Sequence, residues 1–378
     1  MAQFDGDVAL VALLGRADQP TDGVEDYCIF LEKALRKRNI PIELMRVPWA
    51  ERGWLPALRF LWRESMKWPG RWVLIQYTAL AWSRRGFPLG LLAVLFLLRR
   101  KKLRIAVVFH DSGPYPGKRW VDRMRRIVQQ FVMRRTAAEV NRVILPASSE
   151  HLEWLASQRN KAVFIPVGSN IPSPPGPSSR ETDNPANGCS ETKIVAVFGI
   201  TPGARGEQEM MDIRKAMESA MQCGAPIELC AFGRGTKEAE PALRRVFRTT
   251  GVEVSVLGLL PAAQIGEILC RANVQIDVRS RISSRRGSVI AGIICGTPVV
   301  GFESTETDDA IREAGVVLVP PGDIRALTSA VTRILCDVSF REELRMRNQI
   351  ASKKSFSWDA ISDRLLRALW EEDCVPLS

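Results

Sequence analysis

The chain is poor in the residues that build metal centres and covalent frameworks. His110 and His151 are its only histidines, which excludes a multi-histidine metal centre. Its eight cysteines (Cys28, Cys189, Cys223, Cys230, Cys270, Cys295, Cys336, Cys374) contain no C-x-x-C pair. Neither a zinc site nor a disulfide framework is expected, and eight reduced thiols in a cytoplasmic protein are expected instead. No long hydrophobic run is present. The longest, Gly86–Leu98 (GFPLGLLAVLFLL), falls short of the ~20 residues that cross a bilayer and reads as a core helix. The opening residues, MAQFDGDVALVALLG, lack the basic region of a signal peptide. There is no G-x-G-x-x-G, no Walker loop, no nucleic-acid motif and no glycosidase-like pair of carboxylates.

What is present is an ordinary globular composition. The 378 residues are 46% hydrophobic and 25% charged, which suits two domains rather than one. The net charge of +11 is confined. From Arg84 to Arg142 there are 15 basic and 3 acidic residues, leaving 38 basic and 39 acidic elsewhere. Such a block implies an anionic surface partner. Within it, Arg99-Arg100-Lys101-Lys102 follows the apolar run. Trp120–Val140 then reads as an amphipathic helix with Met124, Ile127, Val128 and Phe131 at helical spacing, and Arg119, Arg123 and Arg126 on a neighbouring face. That pattern fits a helix lying on anionic lipid and argues against nucleic acid as partner.

Both halves alternate short apolar runs with helical spans. In the first half the strands are VALVALLG, RWVLIQY, RIAVVFH, RVILPAS and AVFIPVG, with a helix over Asp22–Arg38. In the second they are KIVAVFG, PIELCAFG, VEVSVLG, VQIDV and TPVVGF. This is the pattern of doubly wound parallel sheets. The expected architecture is α/β, two Rossmann-like domains facing across a cleft, with ligands at the carboxyl ends of the strands. The domains are placed at 1–172 (acceptor side) and 193–355 (donor side). A proline-rich linker occupies 173–192, and a C-terminal segment, 356–378, carries a last helix capped by Ser357 and crosses back to the first domain.

Several strand ends carry residues suited to chemistry. Asp22 and Gly23 close a glycine-bounded loop after the first strand, where the backbone can approach a ligand. Gly199, Thr201 and Arg205 lie in GITPGARG, ahead of a helix expected to begin near Glu207 with its amides free for a phosphate. Ser283-Ser284-Arg285-Arg286-Gly287-Ser288 offers hydroxyls and guanidiniums before an apolar helix, and a guanidinium fork matches phosphate oxygens. Arg286 is chosen over Arg285 as the main contact, since adjacent side chains diverge. His110 ends the VVFHD strand, with Asp111 beside it to hold its tautomer. His151 is assigned no role.

The chain resembles the family 4 group of GT-B glycosyltransferases. The resemblance rests on Gly296-Thr-Pro-Val-Val300, Ala314–Asp323 (AGVVLVPPGD), Ala326-Leu327 and Phe356-Ser-Trp358, with Gly23 and VVFHD in the first half. It implies metal-independent, cofactor-free, retaining transfer of a sugar, a hexose most simply, from a nucleotide diphosphate donor to a sugar or lipid-linked acceptor. The enzyme is then cytoplasmic, peripheral at the inner membrane face. Arg205 takes the place of the family's usual lysine, and Ile200 that of an arginine. The family's two donor-loop glutamates fall at Ser283 and Ala291, so both acids are missing. The SSRRGS loop is then expected to bind the diphosphate, with Gly233, Gly258 and Leu260 at the nucleoside and His110 and Asp111 as catalytic residues. The competing reading is a non-catalytic nucleotide-sugar-binding protein on the same fold.

Overall fold

The structure, a computed structural model, describes residues 10–18, 22–113, 115, 117–147, 152–172, 192–201, 203–279 and 282–370. His151 and the expected linker, apart from Thr192, lie outside them. The chain divides into two compact units, residues 1–166 with 358–378, and residues 167–357. The stretch after Pro166 that the sequence pattern joins to the first half belongs to the second unit. There the Val167 amide donates to the Ser284 carbonyl at 3.0 Å.

The first unit runs β1 (Leu10–Leu14), α1 (Gly23–Arg36), β2 (Ile42–Arg46), α2 (Trp49–Arg52), α3 (Trp54–Glu64), β3 (Trp72–Tyr77), α4 (Gly90–Arg100), β4 (Arg104–Phe109), α5 (Trp120–Glu139), β5 (Arg142–Leu145) and β6 (Ala162–Phe164). Its sheet is parallel, in the order β2-β1-β3-β4-β5-β6. β1 and β3 are buried throughout, as strands covered on both faces must be. Parallel crossovers are right-handed. The path reverses at β2, so α1 packs on one face of the sheet and α3, α4 and α5 on the other; α3 contacts α4, and α4 contacts α5. α4 is the expected core helix, with Leu91, Val94, Leu95, Leu97 and Leu98 buried.

The second unit runs β7 (Lys193–Phe198), α6 (Ala204–Glu218), β8 (Ile227–Phe232), α7 (Thr236–Phe247), β9 (Glu253–Gly258), α8 (Ala262–Arg271), β10 (Val274–Asp277), α9 (Gly287–Ile294), β11 (Val299–Phe302), α10 (Asp309–Glu313), β12 (Val317–Val319), α11 (Ile324–Cys336) and α12 (Val338–Ala351). Its parallel sheet has the order β12-β11-β10-β7-β8-β9. A π-helical turn, Ser352–Phe356, follows, with Phe356 buried. The final helix, α13 (Trp358–Trp370), belongs to the first unit and packs on α1. Trp358 stacks on Phe30 there, ring centroids 5.7 Å apart.

Three expectations need correction. α6 begins at Ala204, not near Glu207, because Gly203 at φ +75° turns the chain into the helix one residue earlier. The strands β2, a mixed IELMR run, and β12, an apolar run of only three residues (VLV), were not among the expected strands. Both are sheet edges with one neighbour, so a short or mixed run suffices. The thiols are not uniformly reduced: Cys336, at the end of α11, is disulfide-bonded, while Cys28, Cys230, Cys270 and Cys295 are in no disulfide.

Candidate functional site

In the second unit three adjacent strands end in glycines that lock their loops together. Gly199, Gly233 and Gly258 follow or end β7, β8 and β9, at φ +86°, +93° and +70°. The Gly199 amide donates to Phe232 O and the Gly233 amide to Gly258 O, each at 2.7 Å. Space is tight as well as twisted. A Cβ at Gly233 would stand 2.8 Å from the Phe198 ring, and one at Gly258 2.7 Å from the Lys237 side chain. Leu260 is half-buried and packs with Phe198 and Phe232 against α8. The residues assigned to a nucleoside therefore share one edge of the sheet, at its carboxyl end.

The loop after β7 is held by a residue that the sequence pattern did not mark. Glu209, buried on α6, accepts the Thr201 amide at 2.9 Å and the Thr201 hydroxyl at 2.6 Å. Arg205 lies in the first turn of α6, whose N-terminus has no side-chain cap. Its guanidinium is largely exposed, 3.6 Å from Glu209, and donates to the Arg279 carbonyl at 2.9 Å. Ile200, where an arginine was expected by resemblance, is buried in the core. It cannot supply charge.

Two further arginines join this loop. Arg279, just beyond β10, lays its guanidinium over Gly199; a Cβ there would meet Nη1 at 2.3 Å. Burial lowers the Arg279 pKa, and the neighbouring Arg286 charge lowers it further, while Asp277 and Glu209 oppose and Arg234 adds repulsion. Arg205, bonded to its carbonyl, and Arg234 and Arg286, repelling its guanidinium, thus gather around Arg279 beside the Gly199 loop. Arg234 and Arg279 were missed because neither falls within a motif; the available signal was a strand end followed by a basic residue.

The SSRRGS loop is divided between support and spare donors. Ser284 gives both its amide and its hydroxyl to Asp308, at 3.0 and 2.6 Å. Arg285 turns to the buried Glu306 carboxylate, at 2.8–2.9 Å. Ser288 donates to Asp277 Oδ2 at 3.1 Å. Gly287 is exposed and opens α9, where no side chain caps the amides. Arg286 differs from its neighbours. Its Nε and Nη2 are buried and make no hydrogen bond among the described residues, and Asp277 Oδ2 is 3.5 Å away. A desolvated guanidinium with unspent donors favours an anion, and a phosphate fits its fork. Ser283 and Ala291 are buried and carry no carboxylate.

In the first unit the loop after β1 is built for support. Gly15 packs so closely that a Cβ would lie 2.2 Å from Ala81 O, and the Arg16 amide donates to that oxygen. Asp22 is the N-cap of α1, accepting from Val24 and Glu25, and Arg46 bridges it to the Gly15 carbonyl. Gly23, the first residue of α1, has neither positive φ nor a protein neighbour within 4 Å of a built Cβ, so the space beside it is open.

His110 follows β4. Its Nε2 lies 2.8 Å from Oε1 of the buried Gln76 on β3, so Nε2 carries the proton. Tyr27 meets the ring edge-on, centroids 5.1 Å apart. Burial pushes the His110 pKa down to about 4, against a smaller upward pull from Asp22. The imidazole is therefore neutral at pH 7. Gln76, not foreseen from sequence, holds Nε2 of the ring; Asp111 is exposed, and burial, followed by the Asp111 charge, raises the Tyr77 pKa. Among the described residues no group of three or more His, Cys, Asp or Glu side chains could hold a metal ion.

No protein-family model matches the sequence, and no curated protein was found that resembles it. Solved structures do. Anabaena Alr3699/HepE in complex with UDP and glucose is 15% identical, with TM-score 0.63, over 96% of this chain and 99% of that one. Sucrose-phosphate synthase from Thermosynechococcus elongatus is 17% identical, with TM-score 0.67, over 97% and 99%. The E. coli trehalose-6-phosphate protein bound with UDP-2-fluoro glucose is 13% identical, with TM-score 0.61, over 98% and 100%. Two six-stranded parallel sheets flanked by helices, matched along nearly the whole chain, give this protein the two-domain α/β fold of the GT-B glycosyltransferases.

Proposed function

We propose that the protein is a glycosyltransferase that moves a sugar, a hexose by resemblance, from a nucleotide diphosphate donor to an acceptor with retention and without a metal. The buried, unspent donors of Arg286 carry this reading. A departing nucleoside diphosphate gains negative charge as the glycosidic bond breaks. Arg286, Arg205 and Arg279 and the uncapped amides of α6 and α9 stabilise that charge more than the ground state, which is what speeds the step. Gly233, Gly258 and Leu260 are proposed at the nucleoside. Neutral His110, its ring held by Gln76, is proposed to meet the sugar or acceptor. Two of the similar structures contain UDP with glucose or a glucose analogue, and UDP-glucose is the first donor to try.

The acceptor is proposed to be lipid-linked or a cell-surface polysaccharide precursor, met at the inner face of a membrane, on the strength of the basic block between Arg84 and Arg142. Among the described residues no helix is long and apolar enough to cross a membrane, so the contact is read as peripheral. The deciding experiment is a thermal-shift screen against nucleotide sugars, followed by donor hydrolysis without acceptor. A ligand at 100 times its Kd stabilises the fold by about 2.7 kcal/mol. Binding without hydrolysis or transfer would favour the non-catalytic alternative, which the absence of both donor-loop glutamates supports.

A further inference from the structure

The exposed apolar side chains are unevenly spread. Among the described residues, ten of the fifteen large ones lie in the first unit, and nine of those belong to α3, α4, α5 and the residues that flank them. These three helices form one layer on a single sheet face. On α5, Trp120, Met124, Ile127 and Phe131 are 49–76% exposed. Their spacing of four, three and four places them in one row, about 17 Å long at 1.5 Å per residue. The opposite face of the same helix buries Val132, Met133 and Ala137. The helix has therefore filled its core contacts and still presents a second apolar stripe to solvent, at a cost that an ordinary surface avoids.

The neighbouring helices extend the pattern. Leu55 and Trp62 on α3 are 62% and 44% exposed and border a shallow pocket of about 270 Å³ with Arg59 and Arg63. Phe96 on α4 is 62% exposed beneath the Arg100 guanidinium. Cations sit directly on this aromatic surface: Lys101 Nζ is 3.5 Å from the Trp62 ring centroid. The acids within the layer are neutralised. Asp122 pairs with Arg125, Glu139 with Arg99 and Arg135, and Glu64 with Lys67. Arg123 and Arg134 remain exposed beside the α5 stripe.

We infer that the outer surface of the α3–α4–α5 layer docks on an anionic lipid bilayer, with the Trp120–Phe131 row immersed among the headgroups and the arginines on their phosphates. It rests on the membrane-surface reading of the acceptor and names the residues that make the contact. Charge complementarity selects an anionic partner, and the row of aliphatic and aromatic groups selects a lipid one. Met124 and Ile127 gain nothing from a nucleic acid phosphate and cannot stack on a base, whereas both gain from transfer out of water. Tryptophan and arginine together are the residues favoured at the headgroup level.

The test is flotation of the full chain with phosphatidylcholine vesicles, with and without phosphatidylglycerol. The wild type should float only with the anionic vesicles. Met124→Glu/Phe131→Glu should lower binding at least tenfold, and Arg123→Gln/Arg134→Gln roughly ten- to thirty-fold. All four positions are exposed, so circular dichroism and the melting temperature should match the wild type. Calorimetry with UDP-glucose should also be unchanged. Loss of donor binding in the wild type with vesicle binding intact would leave the docking surface standing and remove only the proposed reaction. Equal binding to both vesicle types, no binding, or unaltered variants would overturn the inference. So would a dimer that Met124→Glu/Phe131→Glu breaks, or tight oligonucleotide binding that the same variant leaves intact.

Discussion

Arg286 Nε stands 3.5 Å from Asp277 Oδ2, beyond a hydrogen bond, while that oxygen is already taken by the Ser288 hydroxyl. The carboxylate anchors the guanidinium without consuming its donors. A charge held in place but left unsatisfied is poised for a ligand that brings oxygens of its own.

Removing that guanidinium separates phosphate binding from nucleoside binding. A hydrogen bond to a charged group contributes ~1.5–3 kcal/mol. Arg286→Ala should weaken nucleoside diphosphate binding by roughly ten- to a hundred-fold and leave a bare nucleoside almost unaffected. Calorimetry with both ligands checks this. If Arg286→Ala and Arg205→Ala both bind the diphosphate normally, the donor site lies elsewhere.

Arg285 should behave differently although it is adjacent. Its substitution leaves Glu306 buried without its guanidinium partner. Arg285→Ala should cost about 1–3 kcal/mol of stability while diphosphate affinity falls less than for Arg286→Ala. Urea denaturation of both variants beside their ligand titrations gives the comparison.

Gly199 offers a steric test of Arg279. Alanine there would be strained at φ +86° and would drive its Cβ into the Arg279 guanidinium. Gly199→Ala should therefore lower diphosphate affinity by displacing Arg279. Arg279→Ala should produce a loss of similar size, and the double variant little more than either alone. Additive losses would show that the two act separately.

His110 links stability to pH. Its folded pKa of about 4 lies below the ordinary value of 6.5, because burial disfavours the imidazolium. Between those values the unfolded chain binds a proton that the folded chain refuses. The fold is fully stable with respect to this group above pH 6.5 and loses up to roughly 3 kcal/mol as pH falls to 4. Denaturation at pH 7 and 4.5 should show that loss in the wild type and a smaller one in His110→Asn. In turnover, His110→Ala should lower kcat while nucleotide affinity stays near wild type.

The layered architecture was legible from particular runs. RWVLIQY and RIAVVFH announce β3 and β4 because a strand buried on both faces needs unbroken apolar sequence, and a glycine after β7 or β8 announces the turn that its φ requires. Arg286 and the α5 stripe were legible for the same reason: each rests on residues close together in the chain. Burial then settled the sense of one pattern. Helical spacing at Met124, Ile127 and Phe131 shows a stripe but not which way it faces, since Val132, Met133 and Ala137 make a second stripe that wins the core.

The sequence by itself determined two parallel sheets, the glycine turns at their carboxyl ends and a basic segment at 84–142, because hydrophobic period, backbone freedom and charge density are local properties. Tertiary structure alone decided that Arg279 covers Gly199, that Glu209 grips Thr201 and that Gln76 orients His110. Arg279 with Gly199 and Gln76 with His110 lie at adjacent strands that strand order brings together, while Glu209 and Thr201, eight residues apart, meet when α6 folds back on the loop before it. It also decided which guanidinium is spent. Arg285 finds Glu306 and Arg286 does not, a difference set by where α9 and the residues after β11 pack.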